Sequence, residues 1–120
     1  MEYFEHTSYK TSFQLSSVIW KVVKDWDSFN KNTLGNQLVR AVDSVSANIA
    51  EGWHRYYKKD KLLFYNYSRS SFYEAIDHIN KSIDRGLIPN KEAELIKELI
   101  KAFPKEINGL IKSVKDNLTK

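Results

Sequence analysis

The sequence predicts an all-α chain, an antiparallel up-and-down four-helix bundle. Three observations carry this. Apolar residues recur at steps of three, four and seven in four successive blocks of the 120 residues, the spacing of one helical face. No stretch shows the strict alternation of a half-buried strand. Four glycines and two prolines are the only strong punctuation, and the connections they mark are short, which makes consecutive helices antiparallel neighbours.

The first helix is expected over residues 12–29. Thr11-Ser12-Phe13-Gln14 reads as a capping box, with Thr11 bonding a free amide and Gln14 reaching back. Leu15, Val18, Ile19, Val22, Trp26 and Phe29 then share one face. Asn30-Lys31-Asn32 breaks that pattern, and Thr33 is expected to cap a second helix over 34–53. Its stripe is Leu34, Leu38, Ala41, Val42, Val45, Ile49 and Ala50, and Gly52 is expected to stop it.

A third helix is expected over 59–85, with Phe64, Tyr65, Phe72, Ile76, Ile79 and Ile83 in its stripe. Ser68, Ser70 and Ser71 are small enough for a neighbouring helix to approach closely. Arg85-Gly86 ends it, because glycine takes the left-handed conformation at little cost. The fourth is expected over 91–118, from Leu95 and Ile96 through Phe103 and Ile107 to Val114 and Leu118. Pro104 removes a backbone donor and clashes with the preceding turn, so a kink or break is expected near Ala102. Residues 1–120 read as a single domain, a size that supports one substantial core.

Composition narrows the function. The chain is 42% hydrophobic and 28% charged, as in folded soluble proteins and unlike disordered ones. It contains no cysteine, which rules out disulfides, thiolate metal sites and cysteine nucleophiles. MEYFEHTSYK has no apolar core of a secretory signal. No apolar run approaches the roughly 18 residues needed to span a bilayer. The expected compartment is the cytoplasm, with no membrane contact.

Little in the sequence looks catalytic. A di-iron bundle needs two Glu-x-x-His pairs, and only Glu51-Gly52-Trp53-His54 fits; Ala75 stands three before His78 and Tyr3 three before His6. There is no Gly-x-Ser-x-Gly elbow and no glycine-rich phosphate loop. Glu74 and His78 lie one turn apart, a spacing that suits a simple pair. The expectation is a protein that is not an enzyme and holds neither metal nor cofactor.

The corner between the second and third helices is different. From Trp53 to Arg69 the cations Arg55, Lys58, Lys59, Lys61 and Arg69 face Asp60 alone, a local +4 that equals the net charge of the whole chain. Trp53, Tyr56 and Tyr57 lie among them, followed by Phe64, Tyr65 and Tyr67. Cations bind phosphates and aromatic faces stack on unpaired bases, so the corner suits RNA or DNA. A merely solvated corner is the competing reading. A protein-interaction or scaffold ring, held by exposed apolar residues on the first and fourth helices, is the alternative from another class.

"NQLVRAVDSVSANIAEGWHR" adds a resemblance. Gln37, Arg40, Ala41, Ser44, Asn48, Ile49, Ala50, Glu51 and Gly52 resemble the motif of the four-helix-bundle proteins encoded in intervening sequences of bacterial 23S rRNA genes. Phe64, Ser71, Glu74 and the Gly-Leu-Ile at Gly86–Ile88 are similar to its later landmarks. Ser70, where the family often has glycine, and Phe103-Pro104 depart from it. The resemblance implies a homo-oligomer, a cyclic pentamer, without known catalysis. Similar accessory proteins of diversity-generating retroelements work with a reverse transcriptase and its RNA, so such a polymerase is an implied partner. The family's ribosomal label rests on gene position.

The motif residues also invite a physical expectation. With a turn near Tyr57, residues equidistant from it should lie level. Arg40 then faces Glu74, Ser44 faces Ser70 and Asn48 faces Asn66. The expected result is a buried or half-buried Arg40–Glu74 ion pair with Ser71 nearby, a pair that sets register more than stability. Asn48 and Glu51 are expected to tie down the helix end and the turn.

Overall fold

The computed structural model describes residues 1–117. Four long helices form the bundle: α1 (Thr7–Val23), α2 (Asn36–Trp53), α3 (Lys58–Asp84) and α4 (Asn90–Lys115). A 3-10 turn, Tyr3–Glu5, precedes α1. A single turn, Ser28–Asn30, and a π-helical segment, Lys31–Gly35, run straight into α2. Each helix packs on its neighbours in sequence and α4 closes the ring against α1, in a rod of 50 × 24 × 21 Å. Leu118, expected at the end of the last stripe, lies outside the described residues.

The first helix starts earlier and stops earlier than its pattern suggests. His6 is its N-cap: its Nδ1 accepts the Ser8 amide at 3.1 Å and lies 2.8 Å from the Ser8 hydroxyl. Nothing in residues 7–10 opposes a helix, so it forms upstream of Thr11. The expected capping box therefore lies inside α1, where the Ser12 hydroxyl donates to the Tyr9 carbonyl at 3.0 Å. At the other end the chain turns at Lys24–Asp27. Trp26 folds back into the core, its Nε1 donating to the Leu87 carbonyl at 2.8 Å. Phe29, expected on the apolar face, is 72% exposed.

The break expected at Asn30–Asn32 does not occur there. Asp27 caps the next turn, accepting the Asn30 amide at 3.0 Å, and that bond holds its carboxyl below the usual range. The chain is thus already helical when it reaches Thr33, whose hydroxyl donates to the Phe29 carbonyl at 2.8 Å instead of capping. The segment widens to π geometry, with the Asn36 amide bonding the Lys31 carbonyl. Gly35 ends it in close quarters: a Cβ there would lie 2.9 Å from Val23 Cγ1 and 3.3 Å from the Asn30 carbonyl.

The other ends follow the sequence more closely. α3 finishes with Gly86 at φ +70°; its amide bonds the Ile83 carbonyl at 3.0 Å, and the Leu87 amide bonds that of Ser82 at 2.9 Å. This is the paired closure that glycine permits after a helix. α4 runs unbroken through Pro104, so of the kink or break expected near Ala102 the break does not occur. The Ile100 carbonyl loses its amide partner. Ile96, Leu99 and Phe103 before the proline and Ile107, Leu110 and Ile111 after it are all buried, and this shared face holds the halves together.

The core is built where the helical stripes meet. Leu15, Ile19, Leu38, Val45, Ile49, Tyr65, Phe72, Ile79, Ile96, Phe103 and Ile107 are sealed from solvent, each side chain contributing about 1.5–3 kcal/mol on burial. Phe72 and Phe103 join α3 to α4 with ring centroids 4.5 Å apart. Ser68 is buried and its hydroxyl donates to the Val45 carbonyl at 2.7 Å, so α3 approaches α2 closely there. Ser70 is exposed. Among the described residues no helix is long and apolar enough to cross a membrane.

Candidate nucleic-acid interface at the α2–α3 elbow

The elbow lies at the end of the bundle that also holds the start of α1 and the finish of α4. Its cations do different jobs. Lys61, in the first turn of α3, donates through Nζ to the Trp53 carbonyl at 2.7 Å and to that of Gly52 at 3.5 Å. It thereby closes the C-terminus of α2, where free carbonyls and the negative dipole end favour a cation. Burial pushes its pKa down. Lys58 does the same for α4, donating to the Lys115 carbonyl at 2.9 Å and the Asn117 carbonyl at 2.5 Å.

Arg55 pairs with Glu51 at 2.9 Å one turn back, and its guanidinium lies 4.5 Å from the centroid of the Phe64 ring. Arg69 sits beyond the elbow, bonding Asn108 at 2.9 Å and Asn66 at 3.0 Å, and so ties α3 to α4. Lys59 is exposed and makes no ion pair or hydrogen bond with the described residues. Four of the five expected phosphate-binding cations therefore have intramolecular work, and Lys59 alone projects freely.

The aromatic residues also divide. Trp53 is half-buried beside His6, with ring centroids 6.4 Å apart. Tyr56 and Tyr57 are 67% and 54% exposed and meet edge to face at 4.9 Å. Tyr65 is 1% exposed; burial pushes its pKa up to about 12.

Gly52 has a different role from the one expected. α2 ends at Trp53 as expected, one residue past Gly52, whose φ is not positive. Its missing side chain makes room: a Cβ would lie 2.8 Å from Tyr65 Cε1 and 3.1 Å from Phe64 Cβ. The glycine lets the ring of α3 lie on the backbone of α2.

The expected Arg40–Glu74 ion pair is absent among the described residues. Arg40 is exposed, in a groove with Trp20, Val39 and Asn36. Glu74 turns to His78, 3.4 Å away, and Ser71 bonds neither. The level matching itself holds, since Ser68 meets Val45 and Lys61 meets Trp53. Level is not azimuth, however, and both side chains point away from the seam. Ser44 bonds the Ala41 carbonyl at 3.0 Å, and Asn48 the Ser44 carbonyl at 2.8 Å, so neither reaches the turn. Glu51 does, through Arg55. The His54 ring bonds the Ala50 carbonyl at 3.1 Å, so the Glu51–His54 pair is divided between two local contacts.

One feature escaped the sequence reading. A cleft of about 530 Å³ opens at this end, where Trp53, Tyr56 and Tyr65 meet His6 from α1's cap and Leu110 and Val114 from α4. The up-and-down order was the available signal, because it brings the start of α1 and the finish of α4 to the elbow. Large exposed apolar residues lie on α1, at Phe13 and Trp20, and on α3, at Leu63, Tyr67 and Tyr73. None of the described residues of α4 is among them, against the expected pairing of the first and fourth helices.

Fold and site together define a four-helix-bundle protein whose elbow is closed by lysines and capped by exposed rings. The family model of the 23S rRNA-intervening sequence protein matches residues 5–109, and the chain belongs to that family. No curated protein matches the sequence.

Proposed function

We propose that this protein is a non-enzymatic, self-associating helical bundle that contacts RNA or DNA through the α2–α3 elbow. The carrying observation is the exposed pair Tyr56–Tyr57 next to the free ammonium of Lys59. Rings stack on unpaired bases and a cation follows the phosphates. One copy offers few contacts, so useful affinity comes from several elbows on one assembly acting together. The family resemblance supports a pentamer as that assembly and a reverse transcriptase with its RNA as its partner.

The test is binding of single-stranded RNA and DNA across a salt series, with the oligomer measured by light scattering. Lys59→Ala combined with Tyr57→Ala is expected to weaken binding at least tenfold, given about 1–3 kcal/mol per stacked base, while the oligomer is unchanged. Undiminished binding in that variant would overturn the reading. The exposed Phe13 and Trp20 on α1 favour a second reading, a scaffold ring without nucleic acid. It predicts that Trp20→Glu dissolves the oligomer and that no strand is retained at moderate salt.

A further inference from the structure

We infer that the cleft at the elbow end takes a nucleoside 5′-monophosphate, its planar base against Trp53 and Tyr56 and its phosphate toward Lys58 and Lys61. The volume, about 530 Å³, lies within the range of small-molecule sites. Leu110 and Val114 give it apolar surface, and no Asp or Glu is among its described lining residues.

The polar groups of the lining are donors with capacity to spare. An ammonium has three N–H donors, and Lys58 and Lys61 each spend two on helix-end carbonyls. One N–H remains on each. His6 accepts through Nδ1, which leaves the ring proton on Nε2 of a residue that lines the cleft. Tyr57, the N-cap of the 27-residue α3, supplies no side-chain bond. The Asp60 amide bonds the Tyr57 carbonyl at 3.1 Å, which leaves the Lys58 and Lys59 amides at the positive end of that helix, an arrangement that favours phosphate although Asp60 shares the turn.

Tyr65 is the independent sign of a ligand. It lines the cleft and is 1% exposed, yet its hydroxyl bonds none of the described residues. The hydroxyl is therefore open to a partner that enters through the cleft it lines. Its ring is pinned against Gly52, so the hydroxyl is not free to swing elsewhere. A base edge or ribose hydroxyl in the cleft supplies the partner.

The same group reaches the protein either as a free nucleotide or as the 5′-phosphorylated end of a strand. Only the second source rests on the nucleic-acid reading above. The experiment uses the full chain and four probes: AMP, adenosine, and a 3′-labelled single-stranded decamer with either a 5′-phosphate or a 5′-hydroxyl. AMP is expected to bind and adenosine to bind at least tenfold more weakly. Tyr65→Phe should weaken AMP about three- to tenfold, the loss of one hydrogen bond, without lowering the melting temperature. Ser113→Phe, which places a ring in the cleft mouth, should block AMP.

A preference for the 5′-phosphorylated decamer identifies the strand end as a source, and AMP binding without decamer binding identifies the free nucleotide and overturns the nucleic-acid reading alone. Equal binding of both decamers with no response to AMP overturns the cleft inference and leaves the elbow reading standing. Binding of none of the four overturns both.

Discussion

Lys61 Nζ lies 2.7 Å from the Trp53 carbonyl oxygen, so the first turn of α3 closes the last turn of α2. A four-residue connection between two long helices leaves the carbonyls of the first with few neighbours that can donate. Lysine's length and its freedom to bury its stem while placing the charged head solve this. Lys61→Met, which keeps the stem, is expected to lower stability by about 1–3 kcal/mol, the worth of a charged hydrogen bond. Thermal unfolding checks this; a melting temperature equal to that of the parent would show that the cap contributes nothing.

Gly52 is held to one residue type by Tyr65. Gly52→Ala improves helix propensity by about 1 kcal/mol, yet it places a methyl 2.8 Å from a buried ring. Overpacking of a fixed core typically costs about 1–3 kcal/mol. The net expectation is destabilisation, and a double variant with Tyr65→Leu should recover part of it. Urea unfolding of the three proteins decides, and a stabilised Gly52→Ala would contradict the close approach.

His6 makes the start of α1 sensitive to acid. Burial pushes its pKa below the usual histidine value of 6.5, against an opposing pull from the Glu106 carboxylate. A folded-state value below the unfolded one means the unfolded chain binds the proton more readily. Stability from this group is therefore full above about pH 6.5 and is lost as pH falls through the lower folded value. His6→Asn keeps a good N-cap without titrating. It should flatten the loss of stability between pH 7.5 and 5, whereas His6→Ala should cost about 1 kcal/mol at pH 7.5. An acid loss as steep in His6→Asn as in the parent would assign it to other groups.

Arg40 and Glu74 are level but do not touch. A double-mutant cycle with Arg40→Ala and Glu74→Ala is expected to return a coupling within about 0.5 kcal/mol of zero, as for independent sites. Glu74 and His78, 3.4 Å apart, should couple more strongly than that pair. A large Arg40–Glu74 coupling in unfolding measurements would revive the pair.

These cases mark what the sequence makes legible. The run Leu38, Ala41, Val42, Val45, Ile49 has one solution as a buried helical face, and Gly86 has one obvious use. The elbow's position and its residues were also readable. What its cations bond was not, because a lysine reaches several ångströms and the carbonyls that attract it appear only when helix ends meet. The His6 cap escaped because histidine is not among the side chains usual at that position. The end of α1 was misplaced because Trp26 and Phe29 fit the stripe equally well, and only the Leu87 carbonyl across the bundle distinguishes them. Spacing gave level along the helices and could not give the direction in which Arg40 leaves its axis.

The wide turn at Lys31–Gly35 has a consequence for how this chain tolerates changes in length. A π turn carries one residue more than the α turn it replaces. Deleting Asn32, which is exposed, would let the segment tighten to ordinary α geometry while Leu38 and everything after it keep their places. Within α2 itself the loss of one residue would rotate the apolar face by about 100° and dismantle the core. The segment thus absorbs a one-codon deletion that α2 would not.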